Sequence, residues 1–350
     1  MIRPVLSLGV VVVLLFAIEH WLAERESSAF STHEVGPLFT SEEAARLRKQ
    51  PAVRVELSGA AHRYGRIEGR WVALSYHNAP VDARAMQALL DGVASAEGIV
   101  YATGSAEAAA FGINTPATVR VSIQGPRAMQ DPGGDVQAML EIGRSPGGRE
   151  GCFVRKKGTP EIWSIASDLR AMLAARAPSL PPMLEASVVP SEWLEMGGAL
   201  AVALQRGGET LRLERRAIEL DPATMEPGML PWKWFLSGTE ELDLPNDTAG
   251  AFVDFLERLP YREVLEAGER EKRATPPLAT ITLDAREGSP LRLEFGAPGE
   301  RGLVPLWVAP TLFLVDAATF ALAFPSRVTL LEDAKEKNPW REALQAGAAR

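Results

Sequence analysis

With a single cysteine, Cys152, in 350 residues, the chain can close no disulfide within itself and can build neither a thiolate zinc site nor an iron–sulfur cluster. A chain without disulfides suits a bacterial envelope as well as a cytosol, so this absence assigns no compartment. Cys152 stands in a strand-like run beside Phe153 and reads as a small buried hydrophobe rather than a nucleophile. Histidine is scarce as well, with only His20, His33, His62 and His77. His20 and His33 fall at the N-terminus, while His62 and His77 flank the first strand pair and have no counterparts later in the chain. The ordinary reading of His62 and His77 is a surface imidazole. Basic charge is in deficit, 37 Lys and Arg against 45 Asp and Glu, for a net charge of −8. A nucleic-acid binder depends on clustered cations, so that class is excluded. No H-E-x-x-H or P-loop motif occurs, and the sequence assigns no catalytic residue, no metal ligand and no cofactor site.

One long apolar run does exist. "PVLSLGVVVVLLFAI" carries no charge from Pro4 to Ile18, and Trp21, Leu22 and Ala23 can extend it toward the roughly 20 residues that span a bilayer. No small-x-small cleavage site follows, because "LAERESSAF" puts charges where small residues belong. Residues 1–23 are therefore expected to be an uncleaved membrane anchor, with a cleaved signal as the alternative. Arg3 precedes the run and favours an exported body. The expected location is the inner membrane, single-pass, with the body on the periplasmic side.

Residues 24–51 look like a polar stalk followed by a short helix, with Thr40 and Glu43 spaced as a capping box. Beyond them the chain describes one pattern twice. In the first pass, "VRVEL" and "YGRIEGRWVAL" alternate as half-buried strands. A helix then places Met86, Leu89, Leu90 and Val93 on one stripe behind Asp82 as N-cap. The strand-like runs "TVRVSIQ", "VQAMLEIG", "CFVRKKG" and "EIWSIA" follow, and "SDLRAMLAARA" closes the pass as a helix capped by Ser167 or Asp168. In the second pass, "ALAVALQRGG", "ETLRLERR" and "PWKWFLSG" precede a helix whose Phe252, Phe255, Leu256 and Leu259 repeat the same spacing. "TPPLATITLDA", "LRLEFG" and "TLFLVDAATFALAF" then answer their earlier counterparts.

The glycine-rich stretches "LEIGRSPGG" and "LEFGAPGER" are thus matching strand ends. Neither continues into the Gly-Lys-Ser/Thr of a phosphate loop. The expected architecture is α+β, with two similar repeats at 52–175 and 197–333, each an antiparallel sheet with one long and one short helix. A Pro-rich linker is expected over 176–196 and a C-terminal helix over 334–350, led by Asn338 and Pro339. "RVTLLEDA" is expected to be a last edge strand.

Trp232 and Trp234 alternate along one strand, so both indoles face one side, either packed in the core or exposed as a surface for a partner or glycan. The basic residues Arg212, Arg215 and Arg216, and the "VRKKG" turn at 154–158, are expected to be salt-bridged or solvated in so acidic a chain.

Trp71, Pro80, Asp82, Leu89, Leu90, Phe111, Gly112, Pro116, Leu140, Ile142, Gly143 and the "IWSIASDL" run together resemble the bacterial family catalogued as domain of unknown function 4340. The resemblance implies one N-terminal membrane segment, an exported body and association with ABC-type export components, among them those linked to gliding motility. It implies no activity and no catalytic residue. The function expected is a non-enzymatic, membrane-anchored partner-binding subunit of an ABC-type export system, with the inner membrane and an ABC-type permease as partners. The alternative is a periplasmic hydrolase acting on envelope glycan.

Overall fold

The computed structural model describes residues 35–104, 107–131, 133–147, 150–174, 180–218, 232–237, 242–266, 277–299, 301–332 and 338–348. The expected membrane anchor and most of the stalk lie outside the described residues. Among the described residues, no helix is long and apolar enough to cross a membrane.

The first half of the chain gives β1 (Gly36–Pro37), α1 (Ser41–Leu47), β2 (Ala52–Leu57), β3 (Ala60–Ile67), β4 (Arg70–Ala73), β5 (Ala79–Pro80) and α2 (Ala83–Ala94). Next come β6 (Glu97–Thr103), β7 (Val119–Gln124), β8 (Val136–Ile142), β9 (Cys152–Lys156), β10 (Glu161–Ile165) and α3 (Leu169–Met172). The second half gives α4 (Ser191–Glu195), β11 (Ala199–Arg206), β12 (Glu209–Ala217), β13 (Trp232–Ser237), β14 (Leu242–Asp243) and α5 (Asn246–Glu257). It ends with β15 (Glu263–Val264), β16 (Ala279–Ala285), β17 (Leu291–Phe295), β18 (Leu303–Val308), β19 (Thr311–Asp316), α6 (Ala317–Ala323), α7 (Arg327–Leu331) and α8 (Pro339–Ala348).

These elements form two compact units that do not follow the chain simply. One comprises residues 1–61 and 87–173, the other 62–86 and 174–350. The sequence repeats and the compact units are therefore different partitions of the same chain.

In the first unit the strands lie in the order β1-β6-β10-β9-β8-β7-β2, all antiparallel. Their apolar face buries Val55, Val121, Ile123, Leu140, Ile142 and Val154, none more than 1% exposed. The opposite face carries a row of alternating charge at directly paired positions, Glu56–Arg120–Glu141–Arg155 across β2, β7, β8 and β9. A slip of one residue would send this row into the core, so the row and the apolar face specify the same register. The pairs that the more exposed Arg120 makes add only about 0.2–1 kcal/mol each, whereas Arg155–Glu141 is nearly buried. Helix α1 starts where Thr40 Oγ1 accepts the Glu43 amide at 3.2 Å and Glu43 Oε2 accepts the Thr40 amide at 2.9 Å, the capping box expected from sequence. Asp168 caps α3 by accepting the Ala171 amide at 2.9 Å.

In the second unit β3, β4 and β5 make a meander, and nine strands lie in the order β14-β13-β12-β11-β16-β17-β18-β19-β15. The order β6-β10-β9-β8-β7-β2 of the first unit recurs here as β15-β19-β18-β17-β16-β11, and the meander β3-β4-β5 recurs as β12-β13-β14. Finer details recur too. Gly143 donates to Phe153 O and Gly296 donates to Pro305 O, each at 2.8 Å, so both glycines just past β8 and β17 tie onto the following strand. Arg66 lies opposite Trp71, and Arg215 lies opposite Trp234. Asp316 caps α6 through the Thr319 amide as Asp168 caps α3. The two helical stripes also hold: Met86, Leu89, Leu90 and Val93 on one helix, and Phe252, Phe255 and Leu256 on the other with Leu259 just past its end, are all at most 1% exposed.

Three sequence expectations need correction. "RVTLLEDA" is not an edge strand, because Ser326 Oγ accepts the Thr329 amide at 3.1 Å and starts α7. A serine three residues ahead of a free amide is an N-cap, and that local bond outweighs the β-branched residues that follow. The helix expected from Ser167 onward is described only as the four residues of α3. The stalk ends sooner than expected, since Gly36 and Pro37 already pair with β6 as β1.

Candidate functional site

The Pro-rich stretch expected to be a linker is a packed strap of the second unit. Prolines at 181, 182 and 190 hold φ near −65° and keep the segment extended. Its backbone is then stitched on both sides. Met183 O accepts the Asp82 amide at 2.9 Å, Glu185 N donates to Pro80 O at 3.1 Å, and Val188 N donates to Leu259 O at 3.0 Å. Two phenols add to this, Tyr64 to Pro182 O and Tyr261 to Glu185 O, each at 2.7 Å. Leu184, Val188, Val189 and Trp193 are all buried. The composition that breaks helices is the composition an extended, edge-lying strap requires.

Beside this strap the second unit opens a groove of about 270 Å³, lined from three stretches, 67–81, 185–192 and 308–313, together with Leu291. Its apolar lining includes Trp71, Val81, Val188, Leu291, Val308 and Phe313. Trp71 is 5% exposed, and its Nε1 has no hydrogen-bond partner. Three carboxylates, Glu68, Glu185 and Glu192, share the lining with one cation, Arg70. Arg70 is already paired, Nε to Glu192 Oε2 at 2.8 Å. Glu185 accepts the Ser191 amide at 2.7 Å and the Ser191 hydroxyl at 2.8 Å. Burial pushes the Glu185 carboxyl above its ordinary range; the Ser191 hydrogen bonds pull it back, and the negative fields of Asp82 and Glu192 push it up again.

The groove's third edge is braced by histidine backbone rather than histidine chemistry. His77 and Asn78 are consecutive residues with φ of 53° and 62°, a conformation that costs a non-glycine residue about 1 kcal/mol or more. Thr311 Oγ1, on β19, donates to His77 O at 3.2 Å and the ring Nε2 lies 3.1 Å from Glu266 O, which hold the turn in place. His62 is buried and its Nδ1 lies 2.9 Å from Tyr76 Oη; burial pulls the imidazole below its ordinary range, against the opposing field of Glu266. Burial likewise raises Tyr76 to about 12, with Glu266 adding to the shift. His62 is thus a satisfied core residue, not the surface imidazole expected. Among the described residues, no three His, Cys, Asp or Glu side chains are grouped to hold a metal ion.

Cys152 is fully buried, with Sγ 3.3 Å from Ser167 O, and burial lifts its thiol to about 11. A thiol so protonated and enclosed reacts slowly. In the native protein it is expected to resist a disulfide-exchange reagent at pH 8 for hours and to label stoichiometrically in urea. Rapid labelling of the folded chain would show that this strand opens.

The two tryptophans expected as a partner surface lie at different depths. Trp234 is 2% exposed in the second unit's core. Trp232 is half-buried, edge-on to Trp234 at 6.5 Å between ring centroids, with the Arg215 guanidinium 4.9 Å above its ring. The basic residues behave as expected: Arg212 and Arg216 both pair with Glu214, Arg155 pairs with Glu141, and Lys156 pairs with Glu43. What the sequence did not reveal is the groove. Arg70, Glu185, Glu192 and Leu291 are far apart in the chain, and each looks ordinary in its own stretch. The one available signal was the apolar content of "MLEASVVP", too high for a solvated linker.

In the first unit the residues that carry the family resemblance form a clasp. A Cβ built on Gly143 would lie 2.1 Å from Phe111 O, and one on Gly112 would lie 2.8 Å from the Arg144 amide. Phe111 O accepts that Arg144 amide at 2.9 Å. Phe111, Phe153 and Tyr101 pack with ring centroids 4.9–5.5 Å apart. These are packing roles, with no reactive group among them.

A family model described as Domain of unknown function (DUF4340) matches residues 71–180. No curated protein matches the chain, and no solved structure matches it. The matched segment opens at Trp71 in the groove lining and takes in Phe111, Gly112 and Gly143 of the clasp, so over residues 71–180 the chain is similar to the Domain of unknown function (DUF4340) family.

Proposed function

We propose that this chain is a membrane-tethered, extracytoplasmic binding subunit, an auxiliary partner of an ABC-type exporter rather than an enzyme. The observation that carries the reading is the groove of the second unit. It is an apolar trough with a charged margin, assembled from packed strands and a stitched strap, as a site for non-covalent recognition is. Two residues of the family resemblance, Trp71 and Pro80, are in its lining. The uncharged run from Pro4 to Ile18 supports the tether as a single membrane-spanning anchor with the body outside. The matching strand orders support an origin by tandem duplication, in which the second copy is a degraded version of the first in sequence but keeps its topology.

Tethering confines the groove near a membrane partner and raises its effective concentration there, so detachment weakens an interaction without altering any contact. A reporter fused after Arg350 is expected to be active only in the exported compartment, and fractionation to leave the protein in the membrane. Replacing residues 1–23 by a foreign cleaved signal is expected to impair the cellular role about tenfold or more, within the range by which linking sites raises avidity. A freed body with full activity would remove the tether from the function.

A further inference from the structure

We infer that the groove receives an extended peptide segment of a partner protein, one that presents an apolar side chain next to a lysine or arginine. The inference rests on the binding-subunit reading above and names the chemistry of its partner. Charge complementarity is its first support. The lining holds Glu68, Glu185 and Glu192 against Arg70 alone, and Arg70 is already paired with Glu192. Among the described residues neither Glu68 nor Glu185 has an ion-pair partner. Glu185 sits half-buried in the like-signed field of Asp82 and Glu192, and its carboxylate accepts hydrogen bonds from the Ser191 amide and hydroxyl. An incoming ammonium or guanidinium would relieve that field; an incoming carboxylate would add to it.

Size is the second support. At about 270 Å³ the groove is smaller than the roughly 300–1,000 Å³ typical of pockets that enclose a whole ligand. It suits one or two side chains of a larger partner, whose remaining contacts lie outside it. The apolar residues Val81, Val188, Leu291 and Phe313 can cover such a side chain. Trp71, nine-tenths buried in the same lining, keeps an indole N–H without an acceptor, and a peptide backbone is a source of carbonyl acceptors.

The test uses the full chain in zwitterionic micelles, with micelles alone as the blank. Its probes are acetyl-Gly-Leu-Lys-Gly-amide, the same peptide with glutamate in place of lysine, and hexylamine as a free cation. Calorimetry is expected to show saturable binding of the lysine peptide, on the order of 10–100 µM. The glutamate peptide should not bind, and hexylamine should bind at least tenfold more weakly. Glu185→Gln keeps an acceptor for Ser191 while removing the charge, and is expected to weaken the lysine peptide about tenfold or more. Leu291→Trp fills the trough and should abolish binding, with an unchanged melting temperature as proof of folding. Should that variant unfold, Glu185→Gln alone decides. Equal affinity for the two peptides, no effect of Glu185→Gln, or tighter binding of hexylamine would each overturn the peptide assignment. None of these results depends on where the chain is tethered, so failure here is separable from failure of the tether experiment.

Discussion

Trp340→Ala is expected to lower the melting temperature of the second unit by about 10 °C, the largest loss from any single truncation considered. Trp340 is 1% exposed, packs its ring 5.2 Å from that of Phe252, and donates from Nε1 to Leu322 O at 2.9 Å. Its helix is held in place locally, because Asn338 Oδ1 accepts the amides of Trp340 and Arg341 at 3.1 and 3.2 Å. Truncating a fully buried tryptophan costs about 3–5 kcal/mol, from lost transfer free energy and the cavity left behind. It also leaves the Leu322 carbonyl without that donor. For a unit of this size each kcal/mol shifts the melting temperature by roughly 2–4 °C, which gives the expected figure. Val328→Ala is the control. That residue is 65% exposed on α7, and surface substitutions of this kind stay within about 0.5 kcal/mol. Scanning calorimetry of both variants checks the pair. A drop of less than about 3 °C for Trp340→Ala would mean that α8 is not part of the cooperative core.

Gly143→Ala is expected to destabilise the first unit by about 3 kcal/mol, the upper end for overpacking a tight site. The added Cβ would stand 2.1 Å from Phe111 O and 3.0 Å from Ile113 Cγ1, and Ile113 is fully buried. The obstacle is a backbone carbonyl, itself bound to the Arg144 amide, so no rotamer change can relieve it. Gly147, four positions along in the same glycine-rich stretch, has nothing within 4 Å of a built Cβ. Gly147→Ala is therefore expected to be neutral or slightly stabilising, by up to about 1 kcal/mol through the unfolded chain. Urea unfolding followed by circular dichroism distinguishes the two. Similar stabilities for the two variants would show that Gly143 can move away from Phe111, and that the clasp is not close-packed.

The contrast between those two glycines shows where sequence reasoning stops. "LEIGRSPGG" is legible as a strand end followed by a turn, and its partner "LEFGAPGER" as the same feature repeated. Which of its glycines meets a carbonyl depends on Phe111, 32 residues earlier, and no local pattern carries that information. The same holds for α7, where the stretch after Ser326 reads as an edge strand and the structure makes Ser326 the N-cap of a helix. His62 looked like a surface imidazole because its partner is Tyr76, 14 residues on, rather than its neighbours in the chain.

By itself, the sequence determined the α+β class, the two helical stripes, the Thr40, Asp82 and Asn338 caps, and the repeated order of strands. All of these follow from periodicity and hydrogen bonds that reach no more than a few residues. Only the tertiary structure decided that residues 62–86 group with 174–350, that the proline-rich stretch is a stitched strap, and that a groove with surplus negative charge lies beside it. The physical reason is chain distance: Trp71, Glu185 and Phe313 become neighbours only when three separate stretches close on one another, and the chemistry they share exists nowhere along the sequence.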